Sequence, residues 1–180
     1  MVNAKDRSNS DGLRLAAKAL AGLALALLIQ SSPVLALEQG EQSPDFTLAS
    51  NIGRDVKLSD YRGKVVFVDF WTSWCTTCQK SLSWANKFQR ELSNPDFQVL
   101  TINLDETPDG ALQFLQKEKM NLLVAYDPSG STPEAYQVEA TPTSMLIGPD
   151  GKIELIHSGF DDKASSEIEF KISGLLKKDQ

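Results

Sequence analysis

The chain has 180 residues, 18 Lys+Arg against 24 Asp+Glu, a formal net charge of −6 and 41% hydrophobic residues. That length suits one domain burying about two-thirds of its unfolded surface, and the apolar content excludes a disordered chain. The acidic balance carries no electrostatic footprint for nucleic acid, and one histidine with two cysteines excludes a four-ligand His/Cys structural zinc site.

Residues 1–36 differ from the rest. Lys5, Arg7, Arg14 and Lys18 precede the apolar stretch Ala19 to Ile29, and Val34-Leu35-Ala36 has the small-x-small pattern of a signal-peptidase site. A helix of that length reaches only about 16 Å, short of the ~30 Å hydrocarbon core. The segment therefore reads as a signal peptide, with a retained membrane anchor as the alternative. Cleavage after Ala36 removes four positive and two negative charges and leaves residues 37–180 with a net charge of −8.

Phe46-Thr47-Leu48 and Val56-Lys57-Leu58 alternate apolar and polar around Asn51-Ile52-Gly53, which predicts a two-stranded hairpin. Val65 to Phe70 is a nearly continuous apolar, β-branched run, the pattern of a strand covered on both faces. A helix over 76–92 carries Leu82, Ala85, Phe88 and Leu92 on one side and stops at Asn94-Pro95-Asp96. A strand follows over 97–104, then a helix over 108–119 with Pro108 in its first turn, a strand over 122–125 and a helical turn over 131–136. Strands over 143–147 and 153–157 flank Gly148-Pro149-Asp150-Gly151, a hairpin signal. A final helix starts at Asp161-Asp162 with Ala164, Ile168, Ile172 and Leu175 as its apolar stripe. The order β-β-β-α-β-α-β-α-β-β-α predicts an α/β domain with a mixed sheet and helices on both faces.

Cys75-Thr76-Thr77-Cys78 lies where the first central strand gives way to a helix. A cysteine there faces unsatisfied backbone N–H groups and the positive end of the helix dipole, which lower a thiol pKa from about 8.5 toward ~3.5–7.5. Thiolates attack disulfides, so Cys75 is expected to be the exposed nucleophile and Cys78, one turn inward, the resolving cysteine. Competing readings are a purely structural disulfide and a metal site of both thiolates with His157. Haem attachment fails because Gln79, not histidine, follows Cys78. Asp69 sits inside the apolar run six residues before Cys75. Burial raises a carboxyl pKa, which suits Asp69 to accept the proton Cys78 must lose; the alternative is a solvated strand end. Thr141-Pro142 reads, from spacing alone, as an ordinary strand-initiating proline.

Residues 43–178 resemble the thioredoxin superfamily, and within it the exported TlpA/ResA-like thiol–disulfide oxidoreductases. The resemblance rests on Pro44-Asp45-Phe46, the run Val65 to Cys78, Leu104-Asp105-Glu106, Asp127-Pro128-Ser129-Gly130, Thr141-Pro142-Thr143 and Gly148 to Ile153. It implies a thioredoxin-like fold with an N-terminal hairpin and a central insertion near 105–126. It also implies a redox-active Cys75–Cys78 disulfide, a cis Thr141–Pro142 bond, and a substrate groove at Trp74, Thr141 and Pro142. The chain departs from many relatives in having Thr76-Thr77 between the cysteines, and Ser81 and Ser83 where glutamate and proline are common. Without that proline, a straighter helix is expected.

The expected function is thus extracytoplasmic disulfide exchange with protein cysteines through Cys75 and Cys78. The reducing direction is favoured, in a cytochrome c maturation or metal-chaperone type of role. Expected partners are a cysteine-containing protein substrate and a membrane electron donor; the protein is expected to be a monomer that uses no cofactor or metal and binds no nucleic acid. The alternative is a non-catalytic thioredoxin-fold module that binds a metal or a partner. Peroxide reduction is disfavoured because no cysteine stands outside the Cys-x-x-Cys turn.

Overall fold

A computed structural model describes residues 37–178. The signal-peptide or anchor reading of 1–36 lies outside the described residues. Among those residues no helix is long and apolar enough to cross a membrane.

Five strands form the central sheet. The run read as doubly buried becomes β3 (Val65–Trp71), and all seven of its residues are buried. It pairs in parallel with β4 (Phe97–Asn103), which pairs in parallel with β5 (Leu123–Tyr126). On its other side β3 pairs antiparallel with β6 (Thr143–Ile147), and β6 pairs antiparallel with β7 (Ile153–Ser158). The order is β5-β4-β3-β6-β7. The small antiparallel hairpin of β1 (Thr47–Leu48) and β2 (Val56–Lys57) stands apart and leads into a 3-10 turn, Leu58–Tyr61.

Alternation along β3 divides the core into two layers. Val65, Phe67 and Trp71 face α1 (Thr76–Leu92), α2 (Pro108–Lys117) and α4 (Asp162–Lys178), packing with Leu82 and Ala85, Ala111 and Phe114, and Ile168 and Ile172. Val66, Val68 and Phe70 face Phe46, Val56 and Leu58 together with Tyr136, which directly follows the short α3 (Ser131–Ala135). Helices lie on both faces, as expected, but three stand on one side. The hairpin, the 3-10 turn and one short helix cover the other.

Element ends differ from expectation by a few residues, each for a local reason. β5 starts at Leu123, since the Asn51 amide bonds the Leu122 carbonyl and accepts from the Val124 N–H. α2 ends at Lys117 because Lys119 turns left-handed, with φ 52°. α1 runs unbroken from Thr76 to Leu92 and closes on Ser93, also left-handed at φ 45°. Residues 40–51 cross from the start of β7 to β5: the Gly40 N–H donates to the Ile153 carbonyl, and the Tyr126 N–H to the Ala49 carbonyl. The crossing covers an edge strand that would otherwise offer unpaired backbone groups.

Candidate active site

Where β3 ends, the chain turns through Thr72, Ser73 and Trp74 and enters α1 at Cys75, its N-cap residue. An N-cap side chain normally accepts a bond from an orphan N–H of the first turn. Here the acceptor is sulfur: the Cys78 N–H donates to Cys75 Sγ at 3.1 Å. Cys75 and Cys78 are joined by a disulfide. Cys75 is 8% exposed and Cys78 not at all. The expected exposed cysteine is therefore a nearly covered one, because the loop carrying Thr141 closes over it. The Thr141 carbonyl oxygen lies 3.6 Å from Cys75 Sγ, and the Thr141–Pro142 bond is cis. The Gly159 N–H, donating to the Pro142 carbonyl at 2.8 Å, ties this loop to the end of β7.

Trp74, adjoining Cys75 in the chain, is 77% exposed. It lines a hollow of about 490 Å³ whose far wall is Asp105, Glu106, Thr107 and Gly110 of the segment opening α2. A larger groove of about 750 Å³ begins at Thr76 and runs between Trp84, Met120 and Phe160. With Trp74 in one hollow and Thr76 in the other, the cysteine turn stands between them. Asp105 also pins the turn, since its carboxylate accepts the Ser73 N–H at 3.0 and 3.3 Å. Gly110 packs so closely that a Cβ there would stand 2.6 Å from Ser73 Oγ.

Asp69 faces the α1 side of β3, completely buried. Ser81 Oγ donates to its Oδ2 at 2.6 Å, while Oδ1 has no partner. Burial pushes the Asp69 carboxyl up to about 7, although the Ser81 hydrogen bond works against that rise. The solvated strand end weighed for Asp69 is thus set aside. His157 is half-buried on β7, paired through Ser144 on β6 with the Asp69 register rather than placed at the cysteines.

The structure thus brings Cys75, Cys78, Trp74, Thr141 and Pro142 to one end of the sheet, with Asp69 beneath α1. Sequence reading noted Ser81 only as a departure and Asp105 only as part of a motif. Helical spacing offered a signal for Ser81: it shares the inner face of α1 with Cys78, Leu82 and Ala85, where a polar residue needs a partner. The groove at Trp84 and Phe160 carried no linear signal, because it is assembled from α1, the residues just past α2, and the start of α4.

Comparison with known proteins agrees with this fold. The redoxin family profile matches residues 38–171. The thiol–disulfide oxidoreductase ResA of Bacillus thuringiensis subsp. konkukian is 31% identical over 117 residues, covering 65% of this chain and 68% of the relative. ResA of Bacillus subtilis is 28% identical, covering 68% of this chain and 69% of the relative. Among solved structures, one described as a thiol:disulfide interchange protein DsbE from Chlorobium tepidum aligns at a TM-score of 0.74 with 41% identity. It covers 78% of this chain and 99% of that one.

Proposed function

Because the chain belongs to the redoxin family, as a TlpA/ResA-like member of the thioredoxin superfamily with thiol–disulfide oxidoreductase activity, we propose that Cys75 and Cys78 are the groups that turn over. Cys75 is the nucleophile, Cys78 the resolving cysteine, and a cysteine-containing protein the substrate. The observation that carries this is the sulfur of Cys75 at the helix N-cap, accepting the Cys78 N–H and bonded to Cys78 Sγ. In the reduced protein the same N–H and the helix dipole stabilise a Cys75 thiolate.

The thiolate attacks a substrate disulfide, forming a bond from Cys75 to one substrate sulfur while the other leaves as thiolate. Cys78 then attacks Cys75 Sγ, the intramolecular disulfide forms, and the second substrate sulfur leaves reduced. Asp69 takes the Cys78 proton, and Trp74, Thr141 and Pro142 border the groove in which substrate lies. Support for the proton transfer comes from a buried carboxyl that titrates near neutrality on the face of β3 that packs against α1.

The reducing direction is favoured. A strong oxidant needs a heavily stabilised thiolate, whereas the buried ionisable group here is a carboxylate, which favours the thiol. A chain with the export-type N-terminal pattern of residues 1–36 would act outside the cytoplasm. A reductant placed there draws electrons from a membrane donor, and a role in cytochrome c maturation or metal-chaperone maintenance fits that place. The test joins insulin-disulfide reduction with equilibration of the Cys75–Cys78 couple against glutathione. We expect turnover that is lost in Cys75→Ser, stalls as a trapped mixed disulfide in Cys78→Ser, and a potential nearer about −270 mV than about −120 mV. A potential at the oxidising end would reverse the direction, and unimpaired turnover by Cys75→Ser would remove the mechanism.

A further inference from the structure

Ser81 stands between two groups that need it differently. Its Oγ lies 2.6 Å from Asp69 Oδ2 and 3.0 Å from the Cys78 carbonyl oxygen, and all three residues are fully buried. A hydroxyl has one proton to donate and lone pairs to accept with. When Asp69 is ionised, the Ser81 proton serves the carboxylate. When Asp69 carries a proton, Asp69 donates to Ser81 Oγ and the Ser81 proton turns to the Cys78 carbonyl. In each state the single Ser81 proton is donated, to Asp69 when it is ionised and to the Cys78 carbonyl when Asp69 is protonated, and neither state requires a heavy atom to move.

We infer that Ser81 is a positioning residue for the resolving step, a hydroxyl hinge that holds Asp69 in both protonation states and ties it to the helical turn carrying Cys78. The inference rests on the reading of Asp69 as the acceptor of the Cys78 proton. In that step Cys78 loses its proton to Asp69 and its sulfur attacks Cys75 Sγ. The Cys75–Cys78 bond forms, and the departing sulfur keeps the electron pair of the bond that breaks. Among the described residues, only burial and the Ser81 hydrogen bond act on the Asp69 carboxyl. Asp69 is paired in register with Thr101 of β4 and Ser144 of β6, and Ser81 and Cys78 stand on α1. From α4, the apolar Ala164, Ile168 and Ile172 are turned inward. The titratable groups of this pocket are thus Asp69 itself and Cys78 when reduced, with half-buried His157 one strand beyond Ser144.

The test mixes reduced protein with 5,5′-dithiobis(2-nitrobenzoate) and follows nitrothiobenzoate release in two phases. The first phase reports attack by Cys75, the second displacement by Cys78. Wild type is expected to gain second-phase rate through a limb near neutral pH. Ser81→Ala removes a donor to the charged carboxylate, so its limb moves to higher pH by about one pH unit and the second phase at pH 7 slows about fivefold. Ser81→Thr restores the hydroxyl and the wild-type limb, while the first phase is unchanged in both variants. Carbon-13 titration of the Asp69 carboxyl in the oxidised protein is expected to show the same upward move.

If Asp69→Asn abolishes the limb but Ser81→Ala leaves it in place, the role of Ser81 is overturned and that of Asp69 stands. If Asp69→Asn leaves the limb intact, both are overturned. Should Ser81→Ala not fold, Ser81→Val against the shape-matched Ser81→Thr makes the same comparison, and equal limbs in the two would overturn the inference.

Discussion

An ionisable side chain cut off from water is charged only at a cost, and Asp69 shows that cost most clearly. Burial pushes its carboxyl up to about 7, against an ordinary aspartate value near 3.9 in the unfolded chain. Below about pH 4 both states hold the proton and no penalty exists. As pH rises toward 7 the unfolded chain releases a proton that the native protein keeps, so this residue lowers stability progressively across that window, by a total on the order of 4 kcal/mol. Asp69→Asn is therefore expected to gain stability relative to wild type between pH 5 and pH 8, by on the order of 2–3 kcal/mol. Urea unfolding of the oxidised proteins at the two pH values checks this; a pH-independent difference would contradict it. The amino-acid sequence showed an aspartate in an apolar run, and that was enough to suspect its burial. It could not show Ser81 as the partner, twelve residues away on another element.

α1 gains its function from its first turn, and the segment opening α2 sets where that turn lies. Asp105 accepts the Ser73 N–H, two residues before Cys75, and Trp71 meets Phe114 of α2 at a centroid distance of 5.7 Å. The α2–β5 unit thus serves as a brace for the cysteine turn as well as an extra edge to the sheet. Asp105→Ala removes a charge-assisted bond worth about 1.5–3 kcal/mol to a half-buried backbone N–H. The expected outcome is a drop of a few degrees in melting temperature and a several-fold loss of insulin reduction, larger than that of a surface control such as Asp109→Ala. Equal activity in the two variants would show that the brace is dispensable. The motif Leu104-Asp105-Glu106 was visible in the sequence, but its purpose was not. A carboxylate that reaches back 32 residues to a backbone amide is legible only once β3 and β4 lie side by side.

At the scale of the molecule, two buried aspartates pull stability in opposite directions with pH. Asp127 accepts from Ser129 Oγ, the Gly130 N–H and the Thr132 N–H at the start of α3. Burial alone would raise its carboxyl, but these bonds outweigh burial and hold it below the ordinary range. Its contribution is present above about pH 4 and lost as pH falls further, whereas that of Asp69 declines as pH rises above about 4. Between about pH 3 and pH 6, Asp127→Asn is thus expected to lose stability relative to wild type as pH rises while Asp69→Asn gains it, and urea unfolding that moves both variants in the same direction would refute this opposition. What the amino-acid sequence determined by itself was local: the strand and helix periods, the doubly covered run at β3, the cysteine pair at a helix start, and the stop signals at Pro95 and Gly151. These follow from backbone geometry and side-chain alternation over a few residues. Tertiary structure alone decided which face of the sheet takes three helices, that Thr141 closes over Cys75, and that Ser81 and Asp105 hold the site. Each depends on groups far apart in the chain meeting within hydrogen-bonding range, and a short-range pattern carries no record of such distances.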